Sequence, residues 1–184
     1  MGKLTEFRIE FSGLKLGEHE YKLSAKEAFF EKYRNLEIGH GDIGIDLLMT
    51  KKERMLIFNF HLSGWVELTC DRCLGKFKYH LDDEETLFVK LQNGIHEMVE
   101  EAEDVLIIPD DWGAFEVAHY IYEYIAVLIP MKKVHGNDEN GNSLCDPKMI
   151  EILNEVEVNE DSEHKGQKEI DPRWEALRKF KNKQ

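Results

Sequence analysis

The sequence predicts an α+β fold: a curved, mostly antiparallel sheet or partly open barrel with one long hairpin, covered by one or two helices and followed by a mobile acidic and basic C-terminal tail. Three observations predict it. Period-two alternation dominates residues 1–95, helical spacing replaces it over 110–156, and polar residues without periodicity fill 157–170. The implied organisation is a single α+β domain over 1–156, β-rich to 95 and helical from 110, then a flexible linker and short C-terminal helix over 157–184. A length of 184 residues suits one domain with its own core.

Taken in order, Phe7, Ile9 and Phe11 alternate with Arg8 and Glu10, the pattern of a half-buried strand that ends near Ser12 and Gly13. Tyr21 and Leu23 fit a second short strand. Ser24 stands three residues before Glu27, the spacing of a capping box, so Ala28, Phe29, Tyr33 and Leu36 are expected on one helix that ends before Gly39. Ile43, Ile45, Leu47 and Met49 mark a third strand.

The clearest pattern follows. Leu56, Phe58, Phe60, Leu62, Gly64, Val66, Leu68 and Cys70 share one parity, with Asn59, His61, Ser63, Glu67 and Thr69 on the other. Only an extended chain places the first set on one face. Gly64 in the middle is expected to mark a bulge or bend. Phe77, Tyr79 and Leu81 resume the alternation, and Leu87, Val89 and Leu91 carry it past the acidic run 82–85, so a long hairpin has Cys70 and Cys73 at its tip.

Farther on, an apolar run over 105–108 is closed by Pro109. Asp110 or Asp111 is placed to cap a helix carrying Ala114, Val117, Ala118, Ile121, Tyr124, Ile125 and Leu128, which Pro130 halts near Ile129. Residues 135–143 are a loop by composition. Asp146 and Pro147 form a cap-plus-proline start for a helix with Ile150 and Leu153, and Asp171 with Pro172 repeats it before Trp174, Leu177 and Phe180.

The net charge of −13 is unevenly placed: residues 1–81 carry 13 Lys and Arg against 12 Asp and Glu, residues 82–163 carry 4 against 22, and residues 164–184 carry 7 against 3. The acidic middle repels polyphosphate, which confines any nucleic-acid contact to the first part or the tail and suits a basic protein partner better. The longest apolar-rich run, 117–131, is interrupted by His119 and Glu123 and is too short for a membrane helix. The first residues lack the apolar stretch of a secretory leader, and three cysteines is an odd number, so reduced thiols and a cytoplasmic location are expected.

Two thiols in a Cys-x-x-Cys turn are suited to one metal ion, since both sulfurs can converge on it. Cys70 and Cys73 supply such a pair, and His135 and Cys145, ten residues apart across a Gly-Asn loop, are candidates for the other two ligands of a zinc tetrahedron. The alternatives are packed reduced thiols or a thioredoxin-like redox pair, the latter disfavoured because the turn joins antiparallel strands and does not open a helix. Lys51, Lys52, Arg54, Arg72, Lys76 and Lys78 are candidates for a positive rim on the sheet, with Trp65 and Tyr79 near enough in sequence to stack on bases; Arg173 and Trp174 are the tail's candidates. Ordinary solvated charge is the competing reading. The 136–147 segment fails the EF-hand pattern, with Gly136 and Pro147 at the first and twelfth positions. No phosphate-cradling glycine loop, nucleophile elbow or His-Glu-x-x-His occurs, so no catalytic residue is assigned and no small-molecule substrate is evident.

These motifs, in order, resemble the YceD-like family, described as large ribosomal RNA subunit accumulation proteins. The resemblance lies in the strand from Val66 into Cys70-Asp71-Arg72-Cys73-Leu74-Gly75-Lys76-Phe77, the acidic segment ending at Pro109, the helix exit from Leu128 to His135, the later Cys145, and the terminal Asp171-Pro172-Arg173-Trp174. The last of these, with a single intervening Cys145, is similar to the form in Bacteroidetes-type bacteria. The resemblance implies a non-enzymatic factor that supports large-subunit ribosomal RNA accumulation and ribosome assembly, with ribosomal RNA, a pre-ribosomal particle or a basic ribosomal protein as partner. A small zinc-binding or thiol-redox protein is the alternative.

Overall fold

The computed structural model describes residues 5–33, 38–102 and 105–156. A 3-10 turn (Thr5–Phe7) leads into β1 (Arg8–Glu10), β2 (Gly17–Ala25), α1 (Glu27–Lys32), β3 (Gly41–Lys52), β4 (Met55–Thr69), β5 (Lys76–Gln92), β6 (Val99–Ala102), β7 (Val105–Pro109), β8 (Ala114–Glu116), α2 (Ala118–Leu128) and α3 (Pro147–Val156). The chain divides after Cys145 into two units, Met1–Cys145 and Asp146–Gln184. In the second, α3 starts as expected: the Asp146 carboxylate accepts the Lys148 N–H at 2.9 Å, and Pro147 fills the first helical position. The linker, the tail helix, and the candidates Arg173 and Trp174 lie outside the described residues, as does Leu36.

The first unit is α+β. Its main sheet has six strands in the order β2-β3-β4-β5-β7-β6, antiparallel throughout except for the parallel β5–β7 pair. With β2 and β6 as edges the sheet stays open, so of the two architectures expected the sheet is realised and the barrel is not. The long hairpin runs from Met55↔Lys90 to Thr69↔Lys76 without a slip. β1 and β8 form a separate two-stranded sheet.

Parity decides the layers. Ile43, Ile45, Leu47 and Met49 of β3, and Leu56, Phe58, Phe60 and Leu62 of β4, are all at most 1% exposed and make one face of the sheet. Phe29 and Phe30 of α1, Ile121 and Ile125 of α2, Phe7 of the 3-10 turn, and Ile9 and Phe115 from the small sheet complete the core with them. Aromatic contacts bind these layers: Phe115 stacks on Phe58 at 5.5 Å between ring centres, and Tyr124 tilts against Phe60 at 5.7 Å.

Three local expectations change. Ser24 pairs with Gly44 inside β2, and α1 begins after Lys26 with no side-chain cap, because strand pairing takes the residues the capping box would use. Gly64 is no bulge: Ile43, Gly64 and Leu81 stay in register across three strands. Ala114 lies in β8 and α2 starts only at Ala118, without an Asp110 or Asp111 cap, because Ala114 to Glu116 pair with β1 and bury Phe115. Ile129 is extended, as the following Pro130 requires.

Lys51 also proves structural. Its Nζ donates to the carbonyls of Phe11 at 2.7 Å and Leu14 at 2.8 Å, fastening the loop between β1 and β2. Lys51→Met keeps the stem but leaves both carbonyls without their cationic donor. Urea unfolding is expected to show a loss of about 1–3 kcal/mol; an unchanged midpoint would mean that the loop is held by other contacts.

Candidate metal centre and the basic pole around it

The turn between β4 and β5 is built by its backbone. Cys70 N donates to Gly75 O at 2.9 Å and Leu74 N donates to Cys70 O at 3.0 Å, while Leu74 takes a left-handed φ of 58° to close the loop. These bonds turn both sulfurs to the same side. A second segment, running on from α2, then lies against the turn. Asp71 N donates to Lys133 O at 2.7 Å and its carboxylate accepts the Lys133 N–H at 2.7 Å, so one aspartate ties the two backbones together from both directions.

That segment folds back as a small hairpin. Leu144 N donates to Gly136 O at 3.0 Å, Asn137 bridges Ser143, and Asp138 N donates to Asn142 O at 2.8 Å. At its tip the Asp138 carboxylate accepts the N–H groups of Asn140 and Asn142 and the Asn142 side-chain amide, which hold its carboxyl below the usual range. This aspartate closes a turn. The hairpin brings His135 and Cys145, ten residues apart, side by side.

The four candidate ligands therefore converge. Cys70, Cys73, His135 and Cys145 place their ligand atoms within 4.8 Å of one another, the three cysteines buried and the histidine half-buried. Cys70 Sγ is 3.8 Å from Cys145 Sγ, and Cys73 Sγ is 3.3 Å from His135 Nδ1. A tetrahedron with Zn–S bonds of about 2.3 Å and Zn–N of about 2.0 Å has S–S edges of about 3.8 Å and S–N edges of about 3.5 Å. The donor set and these two edges fit zinc. A metal there would be held by a Cys3His set and would clamp the β4–β5 turn to the 131–145 segment.

Electrostatics favours ligation. Burial raises the Cys70 thiol, but the backbone N–H groups of Cys73, Arg72 and His135, with the His135 side chain, outweigh it and bring it down to about 6, which favours the thiolate that a metal ligand requires. Cys145 moves the other way: Ser143 stabilises its thiolate, but burial and the Cys70 and Cys73 sulfurs outweigh this and raise it. Gly75 leaves room for the histidine, since a Cβ there would sit 3.3 Å from His135 Cε1 and 3.4 Å from Cys73 Sγ. Phe77 supports the imidazole at 4.9 Å between ring centres.

The candidate cations fall into two groups. β4 rises about 3.3 Å per residue, up to roughly 45 Å along its 15 residues, and Lys51, Lys52 and Arg54 lie beside one end of it, Arg72 and Lys76 beside the other. They do not form one rim. Lys51 is committed to the carbonyls above. At the cysteine end Arg72 is exposed, Lys76 pairs with Glu67 at 2.7 Å, and Lys78 Nζ lies 3.7 Å from the centre of the Trp65 ring. Tyr79 packs against the core. The structure adds neighbours that sequence spacing did not reveal: exposed Lys132 and Met131, one and two residues before the Lys133 that Asp71 holds, and exposed Leu74 at the apex. Their signal in the sequence was the Met131-Lys132-Lys133 cluster just after Pro130.

The family model for the large ribosomal RNA subunit accumulation protein YceD matches residues 58–181, a span that takes in the turn, the hairpin segment and all four ligands. The chain belongs to this family. Its name ties the YceD family to accumulation of large-subunit ribosomal RNA. Searches of curated proteins and of solved structures returned no match. Among the described residues no helix is long and apolar enough to cross a membrane.

Proposed function

We propose that this YceD family member is a non-enzymatic cytoplasmic factor that supports accumulation of large-subunit ribosomal RNA during ribosome assembly, its zinc-clamped turn presenting a basic pole to pre-ribosomal RNA. The observation that carries this reading is the family match across the turn and the hairpin segment. The geometry supplies the means. A Cys3His clamp would fix the turn that carries Arg72 and Leu74 against the segment that carries Lys132, one residue before the Lys133 that Asp71 holds, and cations held in place lose less freedom on meeting phosphate. The acidic remainder keeps the rest of the molecule away from RNA. Burial of the cysteine sulfurs makes a thiol-redox role the poorer reading, because a redox partner needs an accessible thiolate.

Depletion of the protein is expected to lower large-subunit ribosomal RNA relative to small-subunit RNA and to accumulate large-subunit precursors in sucrose gradients. An Arg72→Glu, Lys132→Glu variant should keep its metal yet fail to restore the RNA, and should co-sediment less with precursors as salt rises. Unchanged subunit profiles on depletion would overturn the reading.

A further inference from the structure

The unit carries a concave surface on the side of α2 that faces β6. Two adjoining cavities of about 360 and 310 Å³ share Met98, His119 and Tyr120. Both lie in the size range of ligand pockets. Met98 and Trp112 remain 46% and 36% exposed along them, large apolar side chains that the core leaves uncovered.

The walls are acidic. Glu100 and Glu123 line the larger cavity beside Tyr120 and Tyr124. Both carboxylates act on Tyr120: burial first, then the fields of Glu123 and Glu100, push its phenol up to about 12. The cation nearest the smaller cavity is already engaged, since Lys32 pairs with Glu116 at 3.1 Å and lies 5.4 Å from the centre of the Tyr33 ring. The chain's own lysine therefore sits there between a carboxylate and an aromatic face. The larger cavity offers the same chemistry, with His119 beside Glu123 at 3.0 Å as the adjoining titratable group. Glu100 belongs to β6, the edge of the sheet, whose far side pairs with no strand among the described residues.

We propose that this groove binds an extended segment of a basic protein, its arginine or lysine side chain entering beside Tyr120 and Met98 between the carboxylates of Glu100 and Glu123 while its backbone runs along the open edge of β6. Charge selects this occupant. Glu100, Glu116 and Glu123 line the groove against one lysine, Lys32, which Glu116 already holds, so nucleic acid is repelled and a cationic chain attracted. Aromatic faces between carboxylates favour a guanidinium or ammonium over a neutral side chain. An edge strand accepts an extended chain through main-chain hydrogen bonds. The proposal rests on the assembly reading only for the partner's class, a ribosomal protein being basic; the groove lies apart from the metal ligands in sequence and has its own test.

The test titrates the full-length protein with a short synthetic peptide of alternating Arg and Val, and with the same peptide carrying Glu for Arg, following Trp112 environment by amide and indole NMR. The Arg peptide is expected to bind at low salt with a Kd in the range of about 1–100 µM, to shift resonances of β6 and α2, and to weaken as salt rises. The Glu peptide should not bind. A Glu100→Lys, Glu123→Lys variant should lose about tenfold or more in affinity while its metal content and unfolding midpoint stay unchanged. Equal binding of both peptides, undiminished binding to the variant, or shifts confined to the cysteine turn would each overturn the proposal. So would a single-stranded RNA oligonucleotide that shifts the same β6 and α2 resonances. None of these results bears on the RNA phenotype of depletion, so the two readings fail separately.

Discussion

Cys73→Ser is expected to take the protein from one bound zinc per chain to none, measured by elemental analysis of protein purified without added metal. Three remaining ligands hold zinc far more weakly, and a structural site contributes its binding energy directly to folding, on the order of 10 kcal/mol or more in isolated zinc fingers. Much less is expected to reach global stability here, because none of the four ligands belongs to the apolar core that packs the six-stranded sheet. The 131–145 segment bears the loss. Asp71 still ties its start through Lys133, but His135 and Cys145 are no longer fastened to the turn. A loss of about 3 kcal/mol lowers the unfolding midpoint by roughly 10 °C in a chain of this size. Chelation of the unaltered protein should reproduce that shift, and chelation of the Cys73→Ser protein should add nothing, since the two changes act on one interaction. Arg72→Ser, one residue away and exposed, serves as the control and should retain the metal. Zinc-free wild-type protein with the same midpoint before and after chelation would remove the clamp from the argument.

How the site was legible follows from how it is built. Cys70 and Cys73 announced themselves, because two thiols in a turn at the end of an alternating strand leave few structural options. His135 and Cys145 were visible as residue types, and their convergence was not, because it depends on a hairpin held by Asp138 and on one aspartate, Asp71, pairing with a backbone 62 residues away. Long-range bonds of that kind carry no periodicity. The central strands were legible for the opposite reason: β3 and β4 bury every second residue with few exceptions, so pattern and packing say the same thing. The sequence misled where tertiary pairing overrode a local signal. Ser24 has the spacing of a cap and is taken by a strand; Ala114 has the spacing of a helix and is taken by β1. The cations misled through distance. Lys52 on β3 and Lys76 on β5 pair with opposite ends of the long strand β4, a separation that composition cannot express.

Gly64→Ala is expected to be the most damaging single methyl group that the sheet can receive. The glycine lies in the middle of β4, between paired β3 and β5, with a φ of 155° that side-chain-bearing residues rarely adopt. An added Cβ would sit 2.2 Å from the Asp42 carbonyl oxygen and 2.8 Å from the Ile43 Cα, both backbone atoms of β3. Neither can rotate away. Relief requires β3 to part from β4, which breaks ladder bonds next to Ile43 and opens the core at Val66 and Leu62. Strain and lost packing together are expected to cost about 3–5 kcal/mol, a large share of the roughly 5–15 kcal/mol that holds a domain folded. Gly44→Ala gives the comparison. It lies one residue along β3, opposite Ser63, and its added Cβ would meet the Ser63 carbonyl at 3.6 Å, an ordinary contact. That variant should unfold within about 1 kcal/mol of the parent, on either side of it, since alanine also restricts the unfolded chain. Urea denaturation of the pair separates the explanations: equal, small losses would mean that glycine in β4 reflects tolerance, whereas a large loss at Gly64 alone identifies the close approach of β3 as the reason that position holds glycine.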